Sequence, residues 1–97
     1  MIRRIVRMSF HPDKVEDFLN WFRQHKEHIR NFDGCEHLEL WQDFNQPNVF
    51  YTFSIWKDEA SIEKYRNSEI FNKVWSYTKQ LFNDKPIAFS ASQKLIV

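Results

Sequence analysis

The side chain in this sequence best suited to moving a proton near neutral pH is His37, in the segment CEHLELWQD. It precedes Glu39 and Trp41 on one face of an extended stretch, where it could act as a general base. A hydrogen-bonded histidine of a core or subunit interface is the plainer alternative. Tyr65 and Trp75 are ten positions apart, nearly three helical turns, and so share a face of any continuous helix. With Trp56 they could wall a pocket in which an aromatic ligand stacks while the Tyr65 hydroxyl donates a hydrogen bond. The same spacing also suits an ordinary helix-on-sheet core. Thr52 and Ser54 share the face of Trp56 and would give either a polar patch in such a pocket or a solvated strip.

Other candidates are weaker. HKEH sets His25 and His28 three apart, a spacing that could hold a metal on one helix face, but no third ligand is evident. A solvated charged face is the expectation, and no metal site. Arg7 offers an anion partner on the first strand, or merely an exposed cation. Cys35 is the only cysteine, which rules out an internal disulfide and a thiolate cage; it is expected to pack as a small apolar residue. Gly34 is the only glycine, so the glycine-rich loops that bring backbone N–H groups close to a phosphate are absent.

The elements that must carry these residues follow from periodicity. IRRIVRMSF alternates as a first strand, with Ile2, Val6, Met8 and Phe10 on one face and Ile5 on the other. HPDKVEDFLNWFRQHKEHIRNF is a helix with Pro12 in its first turn and an apolar stripe of Val15, Phe18, Leu19, Phe22, Ile29 and Phe32, closed by Gly34. CEHLELWQD is a second strand, Leu38 and Leu40 opposing Cys35, His37, Glu39 and Trp41. After the turn residues FNQPN, VFYTFSIW is the third strand. Asp58 caps a helix beginning EASIEKY, RNS interrupts it, and Ser68 recaps EIFNKVWSYTKQLF. IAFSASQKLIV is the fourth strand.

The order βαββαβ implies an α+β, ferredoxin-like domain spanning residues 1–97 with a four-stranded antiparallel sheet. Two helices can cover only one face of that sheet, yet strands two and three carry large apolar residues on both. A second copy pairing sheet to sheet is therefore expected, giving a homodimer. Aromatics make up 18% of the chain and the net charge is +1 with both signs interspersed, which argues against disorder and against a nucleic-acid partner. The start has charges and no apolar core of a signal peptide, and no apolar run approaches a membrane span. A cytoplasmic protein without a membrane partner is expected.

With its element order, GCEHLELWQD after the first helix and PNVFYTFSIWKDEASIEKYRNSEIF, the whole chain resembles the antibiotic biosynthesis monooxygenase family of dimeric α+β barrels. The resemblance implies a cofactor-independent monooxygenase that oxidises a small electron-rich aromatic, quinol- or anthrone-like, with dioxygen. His37 would be the base, and Tyr65, Trp75, Trp56, Thr52 and Ser54 would shape the substrate pocket. The alternative is a non-enzymatic dimeric barrel that binds a small apolar ligand or acts in stress response. The family's haem-degrading branch fits poorly. Its strand-one Asn, helical Trp and haem-ligating His fall on Val6, Tyr65 and Trp75, and an indole N–H cannot ligate iron.

Overall fold

The computed structural model describes all residues, Met1–Val97. Alternation of side chains builds the sheet: β1 (Ile2–Ser9), β2 (Cys35–Gln42), β3 (Val49–Trp56) and β4 (Ile87–Ala91) lie in the order β2-β3-β1-β4. Every pairing is antiparallel. The helices α1 (Val15–Arg30), α2 (Glu59–Arg66) and α3 (Glu69–Thr78) follow β1 and β3 in the ferredoxin-like manner.

Register fixes what each face presents. Arg4, Val6 and Met8 stand opposite Ser54, Thr52 and Phe50 on the helix-covered face, while Ile5 stands opposite Phe53 on the other. The covered face holds the core. Phe10 is fully buried and stacks on Phe18 of α1 at 4.2 Å between ring centroids, with Met8, Phe50 and Leu81 around them. Burying each such ring is worth about 1.5–3 kcal/mol. A second cluster unites Cys35, Trp56 and Ile62.

Pro12 opens a single 3-10 turn, Pro12–Lys14, that leads into α1. The RNS segment breaks the second helical stretch cleanly. Asp58 caps α2 by accepting from the Ser61 N–H at 2.8 Å, and the Ser68 hydroxyl caps α3 by accepting from the Phe71 N–H at 3.1 Å. Gly34, at φ +91°, turns the chain from α1 into β2, and its carbonyl accepts from the Lys57 N–H at 2.8 Å.

Three local expectations are corrected. Cys35 does not share a face with His37: a bulge between them sets Cys35 against Trp56 in the core and His37 against Ile55 on the open face. The fourth strand stops at Ala91, because Arg3 is Ala91's partner on β1 and that strand begins at Ile2. Beyond it Leu95, Ile96 and Val97 are exposed. His25 does not lie on a solvated helix face. It is 6% exposed, packs edge-on against Trp21 at 4.1 Å, and neither ring nitrogen has a hydrogen-bond partner.

That burial has a pH consequence. Desolvation, with smaller contributions from Lys73 and His28, lowers the His25 pKa below the ordinary histidine value. The unfolded chain then binds a proton that the folded chain refuses. Stability attributable to this site is complete above about pH 6.5 and is lost as pH falls below it. His25→Phe should therefore flatten the decline in Tm between about pH 7 and pH 5, measured by thermal unfolding, and raise Tm at the acid end.

Candidate functional site

Between the covered sheet face and the helices lies a cavity of about 240 Å³. Strand alternation supplies its floor from Arg4, Val6 and Met8 of β1, Thr52, Ser54 and Trp56 of β3, and Ala88 of β4. Helical periodicity supplies the walls: Trp21 and Phe22 from α1, Ile62, Tyr65 and Arg66 from α2, and Phe71, Val74 and Trp75 from α3. Such a concave, mostly apolar space with a few polar groups is the usual form of a small-molecule site.

Aromatic rings line it in sequence. Trp56 and Tyr65 are 5.0 Å apart, Tyr65 meets Phe71 edge-on at 5.2 Å, and Phe71 stacks with Trp75 at 5.9 Å and 12°. The helix break does not separate Tyr65 from Trp75, because Phe71 in the first turn of α3 bridges them. Trp56 is 1% exposed and belongs to the core as well as to the cavity lining. Its indole N–H donates to the Ser54 hydroxyl at 2.9 Å, and Trp21 donates to the Val74 carbonyl at 3.1 Å. These bonds hold two large walls in fixed orientations.

The titratable groups in this space are few. No Asp, Glu, Lys, His or Cys lines it. Burial pushes the Tyr65 phenol well above its ordinary range, so Tyr65 stays protonated and keeps an O–H to donate. Arg4 and Arg66 are the charged residues. Burial first, and the positive charge of Arg66 second, lower the Arg4 pKa, a shift that leaves a guanidinium cationic at any physiological pH.

The structure thus brings Thr52, Ser54, Trp56, Tyr65 and Trp75 around one cavity and leaves His37 out of it. His37 lies on the opposite sheet face, hydrogen-bonded to Glu39 and edge-on to Phe53 at 6.0 Å. A strand's two faces are separated by the sheet itself, so His37 cannot reach a ligand held among those aromatics in the same subunit. Glu39 also accepts from the Trp41 indole at 2.8 Å, and that bond, followed by His37, holds its carboxyl below the usual range. Arg7 is on the open face too, close to Asp43 and Tyr51. Cys35 is buried, and burial raises its thiol pKa. No group of three or more metal-ligating side chains assembles anywhere.

Sequence reasoning passed over Arg4 and Arg66. The signal for Arg4 was present: it occupies the same parity as Ile2, Val6, Met8 and Phe10, a charge set into an apolar face. Arg66 stood in the segment taken only for a helix break.

Comparison with known proteins gives a consistent assignment. Residues 1–75 match the family model described as "Antibiotic biosynthesis monooxygenase". The protein named "Putative monooxygenase YcnE" from Bacillus subtilis (strain 168) is 26% identical over 72 residues, covering 74% of this chain and 76% of that one. The crystal structure of a conserved protein from Methanosarcina mazei Go1 superposes with a TM-score of 0.90 at 22% identity, over 96% of this chain and 92% of the other. The crystal structure of an antibiotic biosynthesis monooxygenase superposes at 0.91 with 18% identity, over 98% and 100%. These structural likenesses establish the fold.

Proposed function

This chain belongs to the antibiotic biosynthesis monooxygenase family, and on that premise we propose that it is a cofactor-independent monooxygenase of a small electron-rich aromatic, quinol- or anthrone-like. The observation that carries the reading is the cavity of about 240 Å³ walled by Trp21, Trp56, Tyr65, Phe71 and Trp75. It suits a flat ring in size and chemistry, and it shields an electron-rich intermediate from water.

In this reading the substrate ring stacks among the aromatic walls and loses a proton. Its anion then passes electrons to dioxygen. One oxygen atom becomes a carbonyl on the ring and the other leaves as water, so that a CH₂ carbon and O₂ give C=O and H₂O. Tyr65, held protonated by burial, donates to the oxygen on which charge develops. The Thr52 and Ser54 hydroxyls orient the ring's polar substituents.

No helix of the chain is long and apolar enough to cross a membrane, and the protein would work in the cytoplasm. It would act as a homodimer joined through the open sheet face. There Trp41 stacks on Phe53 at 5.0 Å, and Trp41, Ile87 and Phe89 are exposed.

The test is oxygen uptake with a panel of quinols and anthrones. Tyr65→Phe should lower kcat about 10- to 100-fold, while His37→Ala, which alters only the opposite face, should leave turnover unchanged. The lack of a carboxylate or imidazole in the cavity favours a second reading, a barrel that binds a small apolar ligand without transforming it. Tight binding of the same panel with no oxygen uptake would decide for that reading.

A further inference from the structure

Resting on the oxygenase reading above, we infer that Arg4 and Arg66 form an anion-stabilising pair that binds the ionised oxygen of an acidic aromatic, a phenol or enol, so that the substrate ionises without a protein base. Arg4 occupies the cavity-facing position of β1 between Ser54 on β3 and Ser90 on β4. Its Nη1 donates to the Ser90 hydroxyl at 3.2 Å, and a guanidinium has further N–H groups to offer. Arg66, in the last turn of α2, lines the same cavity.

Neither arginine forms an ion pair. The protein's ion pairs are Lys14–Asp17 and Lys64–Asp33, His37 lies beside Glu39, and none of these involves an arginine. Glu59 and Glu63 share the outer rim with Arg4 and Arg66, yet neither pairs with them. The positive field of Arg66 at Arg4 is strong enough to lower the Arg4 pKa, after burial. Two like charges beside one partly desolvated space repel each other, and an anion between them relieves both.

The deeper cavity has no group to accept a proton, since Tyr65 is held protonated. The substrate O–H bond therefore breaks with its electron pair remaining on the oxygen between the guanidiniums, and the proton leaves through the mouth to water. The anion so formed is the species that reacts with dioxygen. The site would thus select aromatics acidic enough to ionise when a cation lies beside them, and discriminate against ring ethers of the same shape.

The probe is para-nitrophenol, whose anion is coloured and whose neutral form is not, titrated across pH with the full chain; nitrobenzene serves as a neutral companion ligand. The dye's pKa should fall by about one unit on binding, a preference for anion over phenol of about tenfold. Arg4→Gln should abolish that preference while nitrobenzene still binds. Arg66→Gln should reduce it, and it serves if Arg4→Gln does not fold. Arg23→Gln, which removes the same charge from the outside of α1, should change nothing. An unchanged or raised dye pKa, with nitrobenzene binding intact, overturns the arginine pair and leaves the cavity reading standing. Failure of both compounds to bind overturns the two together.

Discussion

Gly34→Ala is expected to destabilise the protein by about 3–5 kcal/mol, the sum of a left-handed backbone and a steric overlap. Gly34 sits at φ +91°, and a Cβ built on it would lie within 2.3 Å of the Ser61 hydroxyl and 2.4 Å of the Ser61 Cβ. Neither side can yield easily. Ser61 is tied by both its N–H and its hydroxyl to Asp58, at 2.8 and 2.7 Å, which is the cap of α2. Gly34 is tied by its carbonyl to the Lys57 N–H. The alanine would therefore push the start of α2 away from β2, or unwind its first turn. Chemical denaturation of the variant should give this loss, and Tm should fall by about 15–30 °C. Adding Ser61→Gly should restore the steric part, about 2–3 kcal/mol, and leave the backbone part. A loss under about 1 kcal/mol would mean that the turn between α1 and β2 opens at little cost.

With the open sheet faces paired as proposed, Phe53→Lys should convert the dimer into a folded monomer. Phe53 lies between Ile5 and Glu39 in the register of the open face, stacked on Trp41. Around it the exposed Ile87 and Phe89 of β4 extend the apolar surface. A symmetric sheet-to-sheet interface would bring two such lysines into one desolvated layer. An unpaired buried charge costs several kcal/mol, so the dissociation constant should rise by more than about 100-fold. The monomer itself should keep its fold, because the substituted side chain is not part of the helix-side core. Sedimentation velocity with circular dichroism separates these effects. A wild-type chain that sediments as a monomer would remove the sheet pairing altogether.

Much of this architecture was legible because a strand's period of two leaves little freedom. The element order, the two faces of β3, the caps at Asp58 and Ser68 and the turn at Gly34 all follow from local patterns. Cys35 and His37 did not, since parity counting assumes an unbroken ladder and one extra residue, Glu36, reverses it. That single bulge keeps Cys35 in the core while His37 stays on the open face with Glu39 and Trp41. His25 was missed for a different reason: helix periodicity ranks apolar side chains, and a buried histidine with no partner runs against that ranking. The end of β4 depended on the length of β1, which no local window contains. Around the cavity, side-chain type was readable but convergence was not. Arg4 and Arg66 are 62 positions apart, and only the antiparallel fold brings them to one mouth.

The break between α2 and α3 leaves two separately capped helices. The link is short: the Asn67 side chain donates to the Glu63 carbonyl at 2.9 Å and the Ser68 hydroxyl to the Tyr65 carbonyl at 2.6 Å. Neither helix needs the other's backbone ladder to remain helical. A residue inserted or removed at this break would slide Trp75 relative to Tyr65, changing the length of the space between them while both helices stay intact on the sheet. In the proposed reading, such a change at Asn67 or Ser68 would fit the cavity to a longer or shorter ring system.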